Sequence, residues 1–113
     1  MTQFSPLLTL PITLTGDVTA NRFVTPAGVQ AGADAVCIGV ARSSGLTGGK
    51  IPVDVKGSAI VESGAAVAIG ATLKSDASGK AIPWVTAGAK TAIALQAATA
   101  AGQMIEVLLL DNA

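Results

Sequence analysis

Between Val61 and Leu73 the chain sets a glycine or a large aliphatic residue at every third position: Val61, Gly64, Val67, Gly70 and Leu73. Five residues after Leu73, a Ser78-Gly79-Lys80 turn opens another apolar run. Glycine at such a cadence supplies the backbone freedom that tight reversals need. The pattern predicts a compact β-fold built of short strands and close turns.

The rest of the chain reads the same way. Short apolar or alternating runs are bounded by Gly, Pro, Asp and Ser, which predicts strands near residues 12–15, 22–25, 35–41, 50–56, 59–62, 67–69, 72–73, 81–85, 93–96 and 105–110. Ile51, Val53 and Val55 alternate with polar residues and should face inward. Pro52 cannot donate to a ladder, so its strand is expected at an edge or near its own start. One helix is plausible, over residues 95–101, where Ala-Ala-Thr-Ala-Ala favours a turn or two before Gly102 stops it. Two stretches look alike, Ile38-Gly-Val-Ala with Gly49-Lys-Ile-Pro-Val, and Ile93-Ala-Leu-Gln with Gly102-Gln-Met-Ile-Glu-Val. They read as two similar hairpins rather than as a duplication.

At 113 residues the chain has room for one core. The expected architecture is therefore a mainly β, single-domain barrel or sandwich over residues 12–113, with at most one short helix and an extended N-terminal arm over residues 1–11. That arm is uncharged, carries Pro6 and Pro11, and is rich in Phe4, Leu7, Leu8 and Leu10. It can be the first strand of the domain's own sheet or an arm packed on a neighbouring subunit. Of the apolar residues, 22 are alanine, and aromatics make up only 3% of the chain. A core of small side chains buries little area at roughly 25 cal/mol per Å², which points to added stability from an oligomer interface or a docking surface.

Charge narrows the functions further. Seven basic and seven acidic residues are scattered without a basic stripe, so neither direct nucleic-acid binding nor membrane binding is expected. No signal peptide is evident, and the uncharged run 91–105 is too short and polar to span a bilayer. Catalysis looks poorly supplied: histidine and tyrosine are absent, the carboxylates sit apart, and Cys37 lies in an apolar run with no base to activate it. Gly45-Leu-Thr-Gly-Gly-Lys50 fails the spacing of a phosphate-binding loop, and Asp76-Ala-Ser-Gly-Lys80 has too few oxygen ligands for calcium. We expect no catalytic residue, metal or cofactor. Trp84, beside Pro83, is either ordinary core or an interface anchor.

Two resemblances bear on these residues. The spacing of Val61, Gly64, Val67, Gly70 and Leu73 resembles the hammerhead of lipoyl and biotinyl carrier domains, which would make Lys80 the modified lysine. The setting Ser78-Gly79-Lys80-Ala81 lacks the residues such carriers place around it, and Ala65 and Ala71 stand where acidic residues usually follow the glycines. A second resemblance runs over about residues 12–110. Ile38-Gly-Val-Ala, Val53-Asp-Val-Lys-Gly57, Gly64 to Leu73, Asp76 to Lys80, Ile93 to Gly102 and Ile105-Glu-Val-Leu-Leu109 are similar, in order and spacing, to the capsid decoration, or cement, proteins of tailed bacteriophages. That resemblance implies a structural protein made in the host cytoplasm and carried on the capsid exterior. It also implies a homotrimer with the major capsid protein as partner, for which Phe4, Leu7, Leu8, Leu10 and Trp84 are the candidate contacts. A tail or other assembly subunit would share the same composition.

Overall fold

The computed structural model describes residues 6–84 and 88–109. It holds eight strands: β1 (Pro6–Thr13), β2 (Phe23–Val24), β3 (Gly39–Ala41), β4 (Lys50–Glu62), β5 (Thr72–Ser75), β6 (Ala81–Pro83), β7 (Ala92–Ala94) and β8 (Met104–Leu109). All strand pairs are antiparallel, in the order β2-β3-β4-β8-β7-β5-β6, with β1 added beside β4. A parallel bridge between Ser63 and Ala81 joins the end of β4 to β6, so the sheet curls into a barrel-like body. Residues 6–11 belong to β1 and pair along β4 of the same chain.

Thirteen-residue β4 is the spine. Its first half carries β1 on one edge and β3 on the other, and its second half pairs with β8 from Ser58 to Glu62. Pro52 sits within this strand because its missing donor is not needed there. It lies opposite Pro11, and its carbonyl instead accepts the Arg42 amide at 3.0 Å. Gly39 is required where β3 meets β4, since a Cβ there would collide with the Asp54 carbonyl.

The loops reveal an internal duplication that the sequence reading did not find. Leu14 donates to the Gly49 carbonyl at 2.8 Å and accepts from Gly48 at 2.8 Å; Ser63 does the same with Gln103 and Gly102, at 2.8 Å each. Val18 and Gly45 exchange two bonds of 2.9 Å, as Val67 and Ala98 exchange bonds of 2.8 and 2.9 Å. Asn21 donates to Ala41 and Gly70 to Ala94, both at 2.8 Å. The Thr15–Gly28 bond that closes the first unit matches the Gly64–Ala81 bond in the second. The chain is thus two small barrels in tandem, the first running from β1 to the first half of β4, the second from the rest of β4 to β8. The two similar hairpins belong to this repeat, but in a shifted register: Ile38 corresponds to Thr91, each bonding the strand before it at 2.9 Å, and not to Ile93.

Each barrel has its own core. Leu14, Val18, Val24, Ala41, Ile51 and Val53 fill the first. Val67, Leu73, Ala94, Ile105 and Val107 occupy the corresponding positions of the second. The outer side of β2 and β3, with Phe23 and Val40, packs into the second cluster, so the barrels share a seam. Phe23 is fully buried there and donates its amide to the Gly79 carbonyl in the β5–β6 turn at 2.8 Å. Gly79 adopts φ 78 at that turn.

The expected helix over residues 95–101 does not form, and no helix occurs among the described residues. Leu95 donates to Glu106 and Ala98 pairs with Val67, so the alanine backbone serves the barrel. A helix of two turns has too little cooperativity to compete with those bonds. Similarly, residues 67–69 supply one bridge rather than a strand, and only Gly39–Ala41 of the predicted run 35–41 is strand.

Candidate interaction surface

Several charged side chains tie the two barrels together. Glu62, at the end of β4, is held between Arg22 at 3.1 Å and Lys80 at 3.4 Å. Arg22 also donates to the Ser78 carbonyl at 3.0 Å, as Gln30 does at 2.8 Å, fastening the β5–β6 turn onto the first barrel. Lys74 meets Asp34 at 2.7 Å. Asp54 is buried in the seam, where Thr9 donates to it at 2.8 Å and Arg42 at 2.9 Å. A buried carboxylate requires such partners, because stripping its hydration without replacement costs several kcal/mol or more.

Lys80 therefore sits in an ion-paired site against the body, and its ammonium is not displayed as a carrier lysine would be. Cys37 is equally unsuited to chemistry: burial pushes its thiol up to about 12, and its sulfur lies 3.4 Å from the Ala35 carbonyl. Among the described residues no group of His, Cys, Asp or Glu could hold a metal ion. An open groove of about 450 Å³ lies beside Asp17, Val18, Thr19, Gln30, Ser44 and Leu46. Its polar atoms already serve the loops: Gln30 accepts from Thr19 at 2.9 Å, Ser44 from Ala20 at 2.9 Å, and Asp17 from the Thr47 amide at 2.9 Å.

The interface residues expected from sequence fall in two places. Phe4 and the side chains of Leu7 and Leu8 lie outside the described residues. Leu10, on β1, is 39% exposed. Trp84 follows β6 and is half-buried. Its indole nitrogen donates to the Gly88 carbonyl at 2.9 Å, and the Lys90 ammonium stands 4.6 Å from the ring centre. The structure does not bring Trp84 and β1 together into one strand pair.

A third region was not singled out from sequence. On the outside of the second barrel, Leu108, Leu95, Met104 and Ile69 are 41%, 42%, 48% and 70% exposed. Ala66, Ala68, Ala97, Ala100 and Ala101, in the loops of the same barrel, are exposed as well. The corresponding loops of the first barrel carry Asp17, Thr19 and Ser44 instead. The signal was present in Met104-Ile105-Glu106-Val107-Leu108: if Glu106 points outward, two-residue alternation sends Met104 and Leu108 outward too. Several large apolar side chains exposed on one barrel, with Glu106 among them, suit contact with another macromolecule.

Comparison with known proteins agrees with this picture of a body built for contact. The family model described as phage cement protein matches residues 2–109. No curated protein matches the chain. Among solved structures, the N-terminal base of the head fiber gp8.5 of bacteriophage phi29 is similar in fold, with a TM-score of 0.73 at 17% sequence identity, over 91% of this chain and 93% of that one.

Proposed function

Since the chain belongs to the phage cement protein family, we propose that it binds the outer surface of a tailed-phage capsid and braces the head against the pressure of packaged DNA. The family is one of phage structural proteins rather than of enzymes. On this reading the protein acts as a homotrimer on the major capsid protein, is made in the host cytoplasm, and performs no catalysis. The observation that carries the reading is the match over residues 2–109, which leaves almost none of the chain for another role. The fold shared with a phage head fiber base supports it. So do the large apolar side chains exposed on the second barrel, which suit many identical weak contacts summed over a shell. Attachment uses the N-terminal segment with Phe4, Leu7, Leu8 and Leu10, together with Trp84.

Co-sedimentation with purified heads tests this. The full chain should pellet with heads and raise the temperature at which they lose DNA. Because Thr9 holds Asp54 and β1 covers an edge of β4, the segment is best trimmed only at residues 2–5. That deletion should leave the melting curve of the free protein unchanged and weaken pelleting. Pelleting at full strength would move the contact away from residues 2–5. Failure of the full chain to bind any head would end the reading.

A further inference from the structure

The duplication supplies each row of side chains in one barrel with a counterpart in the other. On the outside of the first barrel, Thr9, Asp54, Val40 and Phe23 are neighbours across four strands. The counterparts in the second barrel are Ser58, Leu108, Ile93 and Thr72, paired in the same order. Even the residue flanking the row corresponds: Ala31 donates to the Phe23 carbonyl at 2.9 Å, and Trp84 to the Thr72 carbonyl at 2.8 Å.

Their surroundings differ. Phe23, Val40 and Ala31 are buried because the second barrel lies against them, and Asp54 is buried beside them under Thr9 and Arg42. Leu108 is exposed, and Thr72, Ile93 and Trp84 are only half-buried. A two-fold relation between the barrels would press both rows against each other. One buried row and one open row mean that the barrels stack front to back, leaving the front of the second barrel available.

We propose that the front formed by Thr72, Ile93 and Leu108, flanked by Trp84, receives the first barrel of a second copy of this chain, in a head-to-tail contact that repeats the stacking within one chain. This deepens the oligomer in the reading above by naming its surface. The mating element follows from the same correspondence. Within the chain, the turn over residues 76–80 covers Phe23 through the Gly79 carbonyl. Its counterpart in the first barrel is the turn over residues 25–29, where Pro26 and Ala27 are exposed. The chemistry is complementary in each case. The inner turn carries Asp76 and Lys80 and meets Arg22 and Glu62. The turn Thr25-Pro26-Ala27-Gly28-Val29 carries no charge and would meet Thr72, with Ala71 and Pro83 beside it, the uncharged counterparts of Phe23, Arg22 and Gln30. Head-to-tail contacts close into rings or run on as filaments.

Sedimentation velocity of the free full-length protein over a wide concentration range tests the contact without any capsid. Wild type should associate, and Ile93→Lys or Leu108→Lys should move the association midpoint to at least about tenfold higher concentration, since an unpaired charge would be buried. Mixing an Ala27→Cys protein with a Thr72→Cys protein under oxidation should give a mixed disulfide dimer, a readout that does not depend on tolerating lysine. A wild type that stays monomeric throughout overturns both this proposal and the oligomer, while leaving head binding to its own assay. Association undisturbed by either lysine, or no mixed disulfide, overturns the proposed surface and leaves the oligomer standing.

Discussion

Replacing Phe23 by alanine tests whether the two barrels unfold as one unit. Phe23 is the largest fully buried side chain and stands in the seam between them. Truncating a buried phenylalanine costs about 3–5 kcal/mol, from lost transfer energy plus the cavity left behind. The upper part of that range applies here, because the ring is walled by strands on one side and the β5–β6 turn on the other. At roughly 0.05–0.15 kcal/mol per residue, a chain of this length has about 6–17 kcal/mol in total. Phe23→Ala should therefore remove between about a quarter and four-fifths of the stability. With a urea slope on the order of 2 kcal/mol per M, the midpoint falls by about 2 M. The single Trp84 is a reporter for the second barrel alone, whereas far-UV circular dichroism sees both. In wild type and variant alike, fluorescence and dichroism should give coincident transitions. A dichroism midpoint that drops while the Trp84 signal keeps its place would refute a coupled seam, as would a total loss below about 1 kcal/mol.

Gly39→Ala should lower thermal stability by at least about 2 kcal/mol, because the new methyl meets the Asp54 carbonyl and the Val55 Cα, both backbone and neither free to swing away; a melting curve like that of wild type would show that β3 can lift from β4. The Cys37 thiol should resist Ellman's reagent at pH 8 in the folded protein and react once urea unfolds it, whereas fast native labelling would contradict its burial. Its raised value also sets a pH dependence. The neutral thiol is favoured in the folded state, so the contribution is intact below about pH 9 and is lost as pH rises towards about 12, at up to about 1.4 kcal/mol per pH unit. Cys37→Ala should flatten that decline relative to wild type in denaturant titrations.

Much of the second barrel was legible in the sequence, because its three-residue cadence is spelled in the residues the turns require. Val61, Val67 and Leu73 point into the core, and Gly70 adopts φ 83. The first barrel repeats the cadence at Ile12, Thr15, Val18, Asn21 and Val24. There Asn21, at φ 64, takes the place of Gly70, and Thr15 that of Gly64. Asparagine tolerates the left-handed region through its short polar side chain, so the geometry is conserved between the barrels while the letters are not. The alanine run at 97–101 misled for the opposite reason: its helix propensity is real but local, and the bonds that decide its shape reach back to Val67 and Ser63. The exposed row on β7 and β8 was hidden because Val107, Leu108 and Leu109 read as one greasy block. Only the pairing with Ile93 shows which side of the sheet each residue takes.

The long central strand also brings β1 and β8 together at its middle. Pro6 lies opposite Gly57, and Leu108 opposite Ser58, next-door positions at the midpoint of β4. With cross-strand Cα spacings of about 5 Å and 3.8 Å along the chain, the two places are within roughly 15 Å of each other. Strands β1 and β8 thus take up their pairing on one short stretch of β4, so a single substitution at Gly57 or Ser58 would reach both barrels at once.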